Sequence, residues 1–141
     1  MMDEPSHPRL RQYAHAHTIE WSERIAALDA FVIVMPEYNF GFTAPLKNAI
    51  DYLFQEWAYK PAGLVSYGGV SGGLRAAQMI KQVLTTLKIV PLSEAVAIPI
   101  YTQYITDEGL FAPNESLSSQ ATAMFGELQR WAHALQPLRA I

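Results

Sequence analysis

The chain of 141 residues contains no cysteine, which excludes disulfides, thiolate nucleophiles, cysteine-bound iron–sulfur clusters and cysteine-ligated zinc. Charge is scarce too. Charged residues make up 16% of the chain, and 10 Lys and Arg against 13 Asp and Glu leave a net charge of −3, which argues against a generic basic surface for nucleic acid. Long apolar runs are missing: the longest, residues 30–35 and 95–100, fall far short of the roughly 20 needed to cross a bilayer. The opening Met1-Met2-Asp3-Glu4-Pro5-Ser6-His7-Pro8 is polar, acidic and without a charged-then-apolar signal pattern. A cytoplasmic protein with no membrane and no nucleic-acid partner is therefore expected. No repeat, low-complexity tract or Gly/Ser-rich linker divides the chain, so residues 1–141 read as one domain. His7, His15, His17 and His133 lack a helical His-x-x-x-His spacing, and no metal site is expected.

What is present is core-forming material: half of the residues are hydrophobic. Residues 1–17 read as a loop or arm with at most a short helical turn, His15 and His17 included. Thr18 reads as the N-cap of a helix closing at Asp29, with Trp21, Ile25 and Leu28 at helical spacing. Residues 30–35 are apolar without alternation and stop at Pro36, the pattern of a parallel strand covered on both faces. Pro45 opens a helix whose apolar face runs through Leu46, Ala49, Ile50, Leu53, Phe54 and Trp57. A second strand follows at 64–67, then a helix carrying Ala76, Ile80, Val83, Leu84 and Leu87 and ending near Lys88. A third strand at 95–100 contains Pro99, which points to an edge position. In the last helix Leu117, Ala121, Met124, Phe125, Leu128, Trp131, Ala132 and Leu135 fit one stripe. The order α-β-α-β-α-β-α predicts an α/β fold with a parallel sheet and right-handed crossovers.

Ligands of open α/β sheets bind outside the carboxyl ends of the strands. Two loops at that edge are rich in special residues. The first, 35–45, carries Tyr38, Phe40 and Phe42, the amide of Asn39, and backbone N–H groups ahead of a helix. The second, Tyr67-Gly68-Gly69-Val70-Ser71-Gly72-Gly73, allows positive φ and close backbone approach to a planar or anionic ligand. Each has a plainer reading: the glycines make a tight turn, and the aromatics pack on a neighbouring subunit. Neither Gly-x-Gly-x-x-Gly nor Gly-x-x-x-x-Gly-Lys-Ser/Thr occurs. Ser71 among glycines has the look of a nucleophile elbow but lacks an assigned acid and histidine order. Glu37 and Asp51 could form a carboxylate pair, although Asp51 lies further along a helix and reads as solvated. Arg75 and Lys81 could attract a phosphate, but a solvated helix face is the simpler use.

Pro36-Glu37-Tyr38-Asn39-Phe40-Gly41, then Pro45-Leu46-Lys47-Asn48-Ala49-Ile50-Asp51-Tyr52, then Ser66-Tyr67-Gly68-Gly69 with Ser71-Gly72-Gly73, resemble the NADPH-dependent FMN reductase family across residues 3–139. The resemblance implies a flavodoxin-like three-layer α/β/α fold. It further implies bound FMN, NADPH or NADH as reductant, and a flavin, quinone or similar small molecule as electron acceptor. Pro36, Glu37, Tyr38, Asn39 and Phe40 would border the isoalloxazine, and Tyr67, Gly68, Gly69 and Ser71 would flank it. A homodimer or homotetramer with the flavin near the subunit interface is implied, with the helix at 45–57 as an interface element. No protein side chain is assigned acid–base work, since the cofactor carries the chemistry.

One departure from the family is large. Its members open with a strand, a Gly-Ser-x-Arg loop that cradles the FMN phosphate, a helix and a second strand; nothing of that kind stands here. The expectation is a flavodoxin-like domain truncated at its N-terminus, with the strand at 30–35 left as an exposed edge. Weaker FMN binding follows, unless another chain completes the site. The rival expectation is a non-catalytic truncated paralogue or interaction subunit that pairs this edge with another chain. A mis-called start site is a third.

Overall fold

The computed structural model describes residues 2–139. Three parallel strands, β1 (Phe31–Pro36), β2 (Pro61–Tyr67) and β3 (Val90–Ile98), lie in the order β1-β2-β3. Helices α1 (Ala16–Ala27), α2 (Ala44–Asp51) and α3 (Leu74–Thr86) supply one side of the sheet, and α4 (Glu115–Leu135) lies on the other. Side chains alternate across each strand, so the two faces of the sheet feed two cores. Phe31, Met35, Ala62 and Leu64 join Ile25, Ile50, Ala77, Ile80 and Leu84 on the first side. Val96 and Ile98 join Leu117 and Met124 of α4 on the second, with Val65 and Tyr67 packed against them. This is the α/β flavodoxin-like arrangement that the sequence predicts.

The strand covered on both faces is β2, not β1. Central placement buries Pro61, Ala62, Gly63 and Leu64 in succession. β1 is an edge strand, paired with β2 alone among the described residues. Its first face is buried, but α4 packs on β2 and β3, which leaves Val32 exposed and Val34 63% exposed.

Other boundaries moved for identifiable reasons. α1 starts at Ala16 with His15 as N-cap, and Thr18 is buried inside the helix rather than capping it. Glu4 reaches across from the N-terminal arm to accept the Ala14 and His15 N–H groups at 2.7 and 3.1 Å. His15 and His17 thus belong to the start of α1, where their rings stack, and not to a free arm. α2 stops at Asp51 instead of running to Trp57. The Trp21 and Trp57 indole N–H groups donate to the Ala49 and Ile50 carbonyls at 2.9 and 3.0 Å, so two of the closing carbonyls of α2 bond to side chains. Asp51 is ion-paired with Lys47. β3 starts five residues before the expected strand, takes in Pro91, and ends one residue before Pro99. Among the described residues it is an edge strand, as expected, although Pro99, the residue that suggested this, lies outside it. In α4, Asn114 caps the helix by accepting the Leu117 N–H at 2.9 Å. Leu117, Met124 and Leu128 are buried, while Phe125 and Trp131 are exposed, so the apolar stripe is narrower than its spacing implies.

Candidate functional site at the carboxyl ends of the strands

The loops that leave β1, β2 and β3 are stitched together by their backbones. The Glu37 N–H donates to the Tyr67 carbonyl at 2.9 Å, Gly68 N–H to Ile98 at 3.3 Å, and Ile100 N–H to Gly69 at 2.9 Å. All nine residues expected at a ligand therefore sit on one edge of the sheet: Pro36, Glu37, Tyr38, Asn39 and Phe40 on the first loop, Tyr67, Gly68, Gly69 and Ser71 on the second. They do not play the same part.

On the first loop, Tyr38 and Gly41 exchange N–H···O bonds of 3.0 and 2.9 Å across a tight turn. Both central residues have positive φ, +49° at Asn39 and +70° at Phe40, as in a type I′ turn. Asparagine tolerates that conformation; phenylalanine does so at a cost of about 1–2 kcal/mol. The turn carries Tyr38 and Phe40 outward, 68% and 65% exposed. Two unburied rings on a strained turn are an arrangement that folding alone does not reward.

Glu37 turns inward. Its side chain is 7% exposed, and its carboxylate accepts from Ser71 Oγ at 2.9 Å, from the Arg75 backbone N–H at 3.1 Å and from Arg75 Nε at 2.7 Å. Burial pushes this carboxyl upward, but the bonds from Ser71 and Arg75 outweigh it and hold it below its ordinary value. Ser71 is equally engaged, since its Oγ also accepts the Gly73 N–H at 3.3 Å. Glu37 and Ser71 thus join the two loops to each other, and their side-chain polar atoms are engaged. The carboxylate also sits at the positive end of α3, the place where a helix would otherwise receive an external anion. The hydroxyl of Ser71 lies on a carboxylate rather than on an imidazole, which removes the elbow reading. Glu37 and Asp51 have separate cationic partners and form no pair.

On the second loop, Gly69 is exposed, and a Cβ built on it meets nothing within 4 Å. The N–H groups of Gly69, Val70 and Ser71 make no hydrogen bond within the described residues; Gly69 and Val70 are exposed and Ser71 is half-buried. Gly73 is the opposite case. Its φ is +82°, and a Cβ there would come within 2.7 Å of Ser66 Cβ and 2.8 Å of the Tyr67 nitrogen. Gly73 is needed to turn the chain; Gly69 is not. Tyr67 is half-buried, its ring edge-on to Tyr101 with centroids 5.5 Å apart.

Sequence reasoning missed the third loop. Ile100, a β-branched residue at φ +45°, is held by its bond to Gly69, and it stands exposed beside Tyr101. The rule that drew attention to the ends of the first two strands applies equally to Pro99-Ile100-Tyr101.

A concavity of about 630 Å³ opens at the other end of the sheet, lined by Arg11, Asp29, Glu56, Lys60 and Arg139 among others. Its charges serve the fold. Arg139 pairs with Asp29 at 2.8 Å, and Arg11 lies 3.4 Å from Glu56. Lys60 Nζ donates to the Ile25 and Ala26 carbonyls at 2.6 and 3.0 Å, closing the C-terminus of α1. Among the described residues there is no group of three or more His, Cys, Asp or Glu placed to hold a metal ion, and no helix is long and apolar enough to cross a membrane.

Comparison with known proteins follows the same lines. The family model for NADPH-dependent FMN reductase matches residues 1–103, short of the expected 3–139 and ending in the loop after β3. An NAD(P)H-dependent FMN reductase of Schizosaccharomyces pombe is 45% identical over 103 residues, 70% of this chain and 51% of that protein. One from Saccharomyces cerevisiae is 47% identical over 92 residues, 64% of this chain and 48% of that protein. The chain thus spans about half the length of these curated relatives. Among solved structures, the flavoenzyme NAD(P)H:(acceptor) oxidoreductase FerB of Paracoccus denitrificans superposes with a TM-score of 0.67 at 24% identity, over 94% of this chain and 74% of that one, which shows the shared fold. By the extent of the family match and the identity of these relatives, the chain belongs to the NADPH-dependent FMN reductase family.

Proposed function

We propose that this chain holds FMN against the joined loops at the strand ends and serves NAD(P)H-dependent reduction of a flavin, quinone or similar small acceptor. The observation that carries the reading is the pairing of two outward aromatic rings, Tyr38 and Phe40, with the open backbone at Gly69 and its three unbonded N–H donors. That surface fits the flat ring system of a flavin: aromatic faces to stack on, donors for ring carbonyls, and no Cβ at Gly69 to intervene. When bound, FMN would accept a hydride from the nicotinamide and pass electrons to the acceptor. The protein's part is to stack, orient and present donors. Gly69, Val70 and Ser71 N–H groups beside the ring would favour negative charge on it.

The ring contacts carry the affinity in this reading, because the positive end of α3 is already taken by Glu37 and offers no replacement for a phosphate loop. Pairing into a homodimer or homotetramer would place further groups at the flavin. A second reading is favoured by the unpaired edge of β1 and its exposed Val32 and Val34: the chain is an interaction subunit whose sheet is continued by another chain. The two separate in one experiment. Purified protein titrated with FMN, then assayed for NADPH oxidation with FMN and a quinone, should quench the flavin and consume NADPH. Protein that binds no flavin, oxidises no NADPH and runs as a mixed complex supports the subunit reading instead.

A further inference from the structure

Phe40 has neither a buried pocket nor a relaxed backbone to fix its ring. Its partner is Arg75, whose guanidinium carbon stands 4.0 Å from the ring centroid. Arg75 lies in the first turn of α3, just past the glycine loop, and is half-exposed. A free arginine there would sweep through solvent. This one is held: Nε donates to Glu37, the same carboxylate accepts the Arg75 backbone N–H, and Ser71 fixes that carboxylate from the other side. With Nε engaged at its edge, the guanidinium plane is left to stack on the ring. The charge that could have drawn a phosphate is neutralised by Glu37. This replaces both sequence readings of Arg75, the phosphate attractor and the idle solvated residue.

We infer that Arg75 is a positioning residue for the flavin-facing platform: oriented by Glu37 and Ser71, it holds the Phe40 ring in place for a neutral, flat ring to stack on. The inference rests on the flavin reading, but its structural half stands apart from it. Lysine supplies the discriminating substitution. An ammonium can pair with Glu37 but has no plane to lay on Phe40 while so bonded, so Arg75→Lys keeps the ion pair and loses the parallel stacking, leaving only a point charge near the ring.

The experiment compares wild type, Arg75→Ala and Arg75→Lys by two measurements. One is the order parameter of the Phe40 ring in ¹³C-labelled apoprotein; the other is FMN affinity with the visible circular dichroism of the bound flavin. Both variants should loosen the Phe40 ring, raise the FMN Kd roughly two- to fivefold, and weaken the flavin dichroism. Full rescue by Arg75→Lys would mean that the guanidinium plane is not what holds the ring and would overturn the inference, as would an unchanged Phe40 ring. Should Arg75→Ala fail to fold, Arg75→Lys carries the test. If wild type binds no FMN, the functional reading fails, and the ring measurement alone decides whether Arg75 positions Phe40.

Discussion

Gly69 and Gly73, four residues apart on the same loop, are expected to respond to alanine in opposite ways. At Gly73 the left-handed φ costs an L-residue about 1–2 kcal/mol. The added Cβ must also push apart Ser66 Cβ and the Tyr67 backbone, at 2.7 to 3.0 Å, and strain of that kind typically costs about 1–3 kcal/mol. Alanine returns about 0.4–1 kcal/mol by restricting the unfolded chain. Gly73→Ala should therefore lose about 1–5 kcal/mol, a substantial share of a domain's typical ~5–15 kcal/mol. Gly69→Ala has ordinary φ and open space, so its stability should stay within about 0.5 kcal/mol of wild type or rise slightly. Its methyl group nonetheless enters the surface assigned to the flavin, and FMN affinity should fall roughly tenfold, about 1.4 kcal/mol. Urea unfolding read by tryptophan fluorescence gives both stabilities, and flavin quenching gives the affinity. Equal destabilisation by the two substitutions, or a Gly73→Ala protein within about 0.5 kcal/mol of wild type, would refute the steric reasoning.

Further outcomes follow from three groups away from the site. Burial, aided by Arg139, lowers the Lys60 ammonium from 10.5 to about 8, so between those values the unfolded chain holds a proton that the folded chain has released. Stability should rise with pH through that window, by up to ~3 kcal/mol, with the slope clearest below about pH 9; Lys60→Met should flatten it. Glu56 is buried and accepts Ser22 and Tyr13 hydroxyls at 2.7 and 2.8 Å and the Phe54 N–H at 3.2 Å. Glu56→Ala, which strands these donors, should cost about 3 kcal/mol in chemical unfolding. Burial pushes the Glu56 carboxyl up, but its hydrogen bonds prevail and its folded value lies below 4.5. Its contribution is therefore present above the unfolded value and lost as pH falls through the folded one, and Glu56→Gln should flatten the acid limb of an unfolding curve. Trp57→Phe removes the indole bond to Ile50, should cost about 1–3 kcal/mol, and should speed amide exchange at Tyr52 and Leu53.

The fold class was legible because each strand is a short apolar run with turn residues after it and a helical period before the next. What periodicity could not supply was the length of elements whose ends depend on distant side chains. The apolar face from Leu46 to Trp57 continues in sequence past Asp51, but two tryptophans bond to α2 carbonyls there, one of them 28 residues away on α1. The run at 30–35 is apolar enough for a central strand; the family resemblance, not periodicity, pointed to the edge that β1 occupies among the described residues. In the site, resemblance located nine residues on one edge but could not divide their labour. That Glu37 and Ser71 turn inward while Tyr38 and Phe40 turn out depends on Arg75, 38 residues from Glu37, which lay beyond any local pattern.

The most direct test of the account is an amide chemical-shift titration of the ¹⁵N-labelled protein with FMN. The account predicts saturable shifts concentrated at residues 36–40, 67–71 and 99–101, with the cleft at Lys60 and Arg139 unmoved. Shifts centred on that cleft, or none as FMN is raised to millimolar concentration, would contradict it.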